Sequence, residues 1–142
     1  MTDYRNIDGA QRPVADLGGL VTLTHLIYGL HAFAVVTGVV GSATVIGSFV
    51  ASLPSIAAVL LNYFKRSAVR GTWLESHFRW QIRTFWFALL WIVLAWWLVF
   101  TVIGLPFALV LVGAATVWII YRVIRGWLNL LDRSPMPMPP RE

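Results

Sequence analysis

Two long stretches of the chain contain no Asp, Glu, Lys or Arg: the 48 residues from Leu17 to Phe64 and the 38 from Thr84 to Tyr121. A bilayer-spanning helix needs roughly 20 apolar residues. Each stretch is therefore too long for one span and about right for two. The pattern predicts an all-α polytopic membrane protein, with four transmembrane helices arranged as two hairpins. The spans are expected at about 17–37, 46–64, 80–103 and 106–125, within a helical domain covering 17–131. A polar arm (1–16) precedes this domain, and a Pro-rich tail (132–142) follows it. The tail stretch SPMPMPP, Ser134 to Pro140, favours an extended polyproline-like conformation and is expected to be mobile.

Local signals divide the two stretches. Gly38, Gly41, Ser42 and Gly47 mark the first outer turn or a close helix approach, and Pro54 is expected to kink the second helix. Lys65, Arg66 and Arg70 close the first hairpin. Thr72 and Glu75 have the spacing of a T-x-x-E capping box, which starts the third helix just after Gly71. Gly104-Leu105-Pro106 predicts a tight turn, with Pro106 at the first position of the fourth helix. Gly29, Ala32, Gly38 and Gly41 are small enough to admit close helix packing. Val69-Arg70-Gly71 and Ile124-Arg125-Gly126 echo one another weakly, too briefly to establish a repeat.

Composition agrees with the pattern. Of 142 residues, 58% are hydrophobic and 12% charged, whereas soluble domains carry about 25% charged residues. So short a chain cannot hide that much apolar surface in one aqueous core. The first apolar run starts well inside the chain, so a cleaved secretory signal is not expected. With no cysteine, disulfides and thiolate sites are excluded.

The net charge of +5 could suggest nucleic acid, but its distribution argues for a membrane. Two basic residues precede Leu17, five lie between Lys65 and Arg83, and four follow Tyr121; the acids fall in the same three regions. Because basic loops stay cytoplasmic, four spans with both termini inside a bacterial inner membrane accommodate all three regions. Trp73, Trp80 and Trp86 would then lie at the inner interface, and Trp96 and Trp97 at the outer one. The implied partners are anionic headgroups and other membrane subunits or further copies of the chain, and no nucleic acid.

The candidate chemistry centres on residues 71–87, GTWLESHFRWQIRTFWF. At about 100° per residue, Glu75, Arg79 and Arg83 follow one stripe that Trp86 extends. His77, Gln81 and Thr84 lie on roughly the opposite face. With Trp80, Lys65, Arg66 and Arg70, the charged stripe forms a candidate lipid-anchoring or partner-docking cluster. A second candidate set lies within the membrane: His25, Tyr28 and His31, with His77, Gln81 and Thr84. Histidines there can bond between helices. They could alternatively line a carrier path, or ligate haem through His25 and His77. No carboxylate lies in a predicted span, and no phosphate loop, nucleophile elbow or metal-ligand cluster is present in the sequence.

The order HLIYGLH, NYFKRSAVRGTWLESHFRWQIRTFWF and YRVIRGWLNLLD, over residues 20–133, resembles small bacterial four-span proteins of unknown function. These in turn are distantly similar to the four-helix membrane subunit of the chloroplast inner-envelope protein-import translocon, through a His-x-Arg-x-Gln pattern met here at His77, Arg79 and Gln81. The resemblance implies a small component of a membrane assembly and no enzyme activity. Translocation is not carried over, because four short spans with charge-free outer turns show no pore lining. The leading expectation is a non-catalytic accessory or assembly subunit. The alternatives are a small carrier or channel, or a haem- or quinone-binding membrane protein.

Overall fold

Hydrocarbon offers no partner for a backbone N–H or C=O, so apolar runs cross it as helices that satisfy their own backbone. The computed structural model describes residues 14–41, 45–101 and 103–137. Four helices form among them: α1 (Val14–Gly41), α2 (Val45–Lys65), α3 (Leu74–Val99) and α4 (Gly104–Leu131). Three apolar stretches, Leu17–Val40, Leu74–Val99 and Gly104–Leu131, are long enough to cross a bilayer. Residues 1–13 of the expected arm lie outside the described residues, as do Ser42 in the first turn and residues 138–142 of the tail. Gly47 falls inside α2 rather than in the turn, and α2 runs through Pro54 as one helix.

The short connections make α1–α2 and α3–α4 hairpins. The two hairpins meet mainly along α1 and α4, with smaller contacts between α2 and α3 and between α1 and α3. Their burial is uneven along the axis. Leu20, Ile27, Tyr28, Val69, Leu74, Phe78, Val123 and Leu130 form one buried cluster near the charged α2–α3 turn. Towards the opposite end, Trp97, Phe100, Phe107 and Val110 are exposed. So large an apolar exterior is the surface a protein presents to lipid.

The turns depart from the sequence expectation in instructive ways. Thr72 does not cap α3: its hydroxyl donates backward to Val69 O at 2.7 Å, and Trp73 occupies the N-cap without a side-chain bond. Glu75 instead reaches back to accept the Gly71 N–H at 3.0 Å. Gly71 has φ +76, a conformation that favours glycine, so the carboxylate closes the turn where the chain reverses. At the far end the turn precedes Gly104. Gly104 N–H bonds Thr101 O at 2.9 Å and begins α4, so Pro106 is the third helical residue. Its missing N–H is still one that the first turn would leave unpaired. The Gly71 and Gly126 echoes serve different ends, one in a turn and one inside α4; they are not equivalent halves of a repeat.

Close packing also comes from an unexpected glycine. A Cβ added to Gly29 would meet nothing within 4 Å, whereas one on Gly126 would lie 2.7 Å from Tyr28 Cε1. The tyrosine ring therefore lies directly on the α4 backbone. Overpacking of this kind costs about 1–3 kcal/mol. Gly126→Ala should lower the unfolding midpoint in mild detergent by several degrees, while Gly29→Ala should leave it unchanged or raise it. Equal effects would show that Tyr28 does not pack against α4 as described.

Candidate functional site

The α3 face formed by His77, Gln81 and Thr84 points into the bundle, where the three residues are 0%, 1% and 7% exposed. His77 anchors it. Its Nε2 lies 2.8 Å from Ser134 O. A carbonyl oxygen can only accept, so Nε2 carries the proton. The Nδ1 lone pair then accepts the Tyr28 hydroxyl at 3.1 Å. The Tyr28 and Trp73 rings also stand edge-on to the imidazole, at 6.0 and 5.5 Å between centroids. One side chain thus joins α1, α3 and the segment after α4.

That segment was expected to be mobile, yet its first part is docked. α4 ends in a Schellman-type arrangement: Arg133 N–H bonds Leu130 O at 3.1 Å and Ser134 N–H bonds Asn129 O at 2.9 Å. Arg133 adopts φ 51, which turns the chain back towards α3. Met136 N–H donates to Ser76 Oγ at 2.9 Å, and Ser76 passes its own proton to Trp73 O at 2.7 Å. Met136 is only 3% exposed. Prolines at 135 and 137 restrict the free chain, so docking it forfeits less entropy than docking a flexible segment would.

The remaining intramembrane candidates pair locally. Trp127 Nε1–H donates to His25 Nδ1 at 3.1 Å, tying α4 to α1. His31 Nδ1 and Ser55 Oγ are 2.9 Å apart, which ties α1 to α2. Thr84 donates to Trp80 O and accepts from Arg122 Nε, both at 2.7 Å. These residues therefore form helix-to-helix contacts at several depths. A haem held by His25 and His77 does not fit this arrangement, because both nitrogens of His77 are engaged. Three buried groups remain incompletely bonded among the described residues: the amides of Asn62 and Gln81, and Nε2 of His31. An unmade buried hydrogen bond costs about 1–3 kcal/mol, so these atoms mark places suited to a further polar partner.

The charged candidates separate into two groups. Arg66, Arg79, Arg83 and Trp80 line a cavity of about 380 Å³ at the charged end, with Ser76, Ile82 and Pro137. Glu75 borders this group, bonded to Arg79 at 2.8 Å. Lys65, Arg70 and Trp86 do not line it; Trp86 instead donates to Tyr63 OH at 2.9 Å. Three arginines, with the Pro137 edge of the docked segment, make a recess suited to a phosphate or carboxylate group.

Several contributors could not be singled out from sequence. Arg122 lies 3.6 Å above the Trp80 ring centroid, and its carbonyl accepts the Trp80 indole N–H at 3.1 Å. Its sequence signal was its position as the first charge after an uncharged run. Ser76 and Met136 had no such signal, because each acts only through the fold-back.

Replacing Ser76 with alanine should remove protection from hydrogen exchange at the Met136 amide while the mid-α3 amides stay protected. Unchanged protection at Met136 would show that the clasp does not depend on this hydroxyl. No protein-family model, curated protein or solved structure matches the chain.

Proposed function

We propose that the chain is a non-catalytic accessory or assembly subunit of a membrane complex. In this reading it has four spans, both termini on the cytoplasmic side of a bacterial inner membrane, and its charged end seated on anionic headgroups. The observation that carries the reading is the recess where Arg66, Arg79 and Arg83 converge beside Trp80. Arginine forks match phosphate oxygens, and an interfacial indole supplies the amphipathic neighbour such a headgroup needs.

Supporting arguments come from elsewhere in the molecule. Basic residues cluster at the two ends and the central turn, and not in the apolar stretches. The exposed apolar faces of α3 and α4 offer surface to lipid or to neighbouring subunits. The resemblance to small four-span bacterial proteins points the same way. A carrier reading has less support, because two residues of its polar set, Tyr28 and His77, are 1% and 0% exposed and bonded to each other.

Native mass spectrometry after gentle extraction from the cell's own membranes tests the proposal. The expected result is an assembly of fixed stoichiometry containing other chains and retaining anionic phospholipid. At about 1 kcal/mol per arginine, Arg66→Ala with Arg83→Ala should weaken lipid retention roughly thirtyfold. Arg70→Ala, outside the recess, should weaken it far less. A lone chain with no retained phospholipid would overturn the reading.

A further inference from the structure

From the level of Thr84 and Val123 towards the end of the bundle opposite the arginine recess, all four helices line a cleft of about 810 Å³. Its size lies within the range of small-molecule sites, roughly 300–1,000 Å³. No Asp, Glu, Lys or Arg lines it. The cation nearest to the wall, Arg122, lies behind Thr84 and is already bonded to it. A charged group would therefore have to shed its solvation against a wall that presents no countercharge of its own, which is strongly unfavourable. Phe85, Leu89, Ile92 and Val112 make most of the wall apolar. The occupant must therefore be neutral and largely hydrocarbon.

The cleft is nevertheless not uniformly apolar. His31, Ser52, Ser55, Thr84 and Thr116 contribute polar groups to its lining, and Ser52 already has an interaction of its own. The hydroxyl of Thr84 already donates to Trp80 O and accepts from Arg122, and that of Thr116 donates to Val112 O. His31 differs. It is 7% exposed, its Nδ1 is matched to Ser55, and its Nε2 has no partner among the described residues. A buried, unpartnered ring nitrogen on an otherwise apolar wall is the mark of a site that recognises one polar atom.

The tautomer narrows the ligand further. If Ser55 donates to Nδ1, then Nε2 carries a proton and needs an acceptor. If Nδ1–H donates to Ser55, then Nε2 needs a donor. A hydroxyl group satisfies either case. We infer that the cleft binds a neutral, hydroxyl-bearing lipid, its hydroxyl on His31 Nε2 and its hydrocarbon body along Phe85 and Leu89. The site stands apart from the arginine recess and does not depend on the function proposed for it.

The test uses the full chain in lipid nanodiscs with two photolabels of equal length: hexadecanol with a mid-chain diazirine, and the matching diazirine hexadecane. The alcohol should label cleft residues, with unlabelled hexadecanol competing and hexadecane competing poorly. His31→Leu should reduce alcohol labelling about tenfold, the loss of one hydrogen bond, and leave alkane labelling unchanged. His31→Gln, which keeps donor and acceptor atoms, should restore much of it. Leu89→Trp should block both labels by filling the cleft.

Equal labelling by alcohol and alkane, insensitive to His31, would mean that the cleft only admits acyl chains of bulk lipid. That result overturns the inference, as does alcohol labelling confined to the outer helix faces. If His31→Leu fails to fold, the wild-type competition decides alone: equal competition by both compounds rejects a hydroxyl site.

Discussion

A histidine buried where water cannot reach must have both ring nitrogens paired, or the fold forfeits about 1–3 kcal/mol for each orphaned group. His77 meets that demand with Tyr28 on one side and the Ser134 carbonyl on the other. Much of the charged end follows from this requirement. Tyr28 can reach Nδ1 only if its ring passes close to α4, which the missing side chain of Gly126 permits. The Ser134 carbonyl can reach Nε2 only because α4 ends with Arg133 in a left-handed conformation. The same reversal brings Met136 N–H onto Ser76.

The resulting molecule has two unlike ends. Near the α2–α3 turn, apolar packing and polar pairing reinforce each other: the packing that buries Tyr28, His77 and Met136 also positions their hydrogen bonds. There the docked segment brings Pro137 to the rim of the arginine recess. Towards the other end, cross-helix polar pairs give way to apolar side chains that lipid can solvate. With no hydrophobic drive to close helices within hydrocarbon, those halves need not fill the space between them, and the cleft lies there. A charged recess and a neutral cleft thus follow from one gradient of polarity along the bundle.

Much of the architecture was legible in the spacing of charges. The lengths of the uncharged runs imply helices close to those observed, since self-satisfaction of the backbone depends only on apolar length. The local punctuation was less informative. Thr72 and Glu75 have the spacing of a capping box, but Gly71 takes a left-handed turn that redirects Glu75 to its amide. Similarly, Gly29 was expected to admit close packing and Gly126 was not, yet it is Gly126 that receives a ring.

The sequence by itself determined the helical class, the positions of the charges and the two polar faces of α3, because each depends on periodicity or run length along one chain. Which arginines share a recess, which nitrogen of His77 holds its proton and which glycine receives Tyr28 were decided by tertiary structure. So was the docking of a segment whose composition favours mobility. These properties depend on pairs such as Ser76 and Met136, 60 residues apart, whose meeting no local pattern encodes.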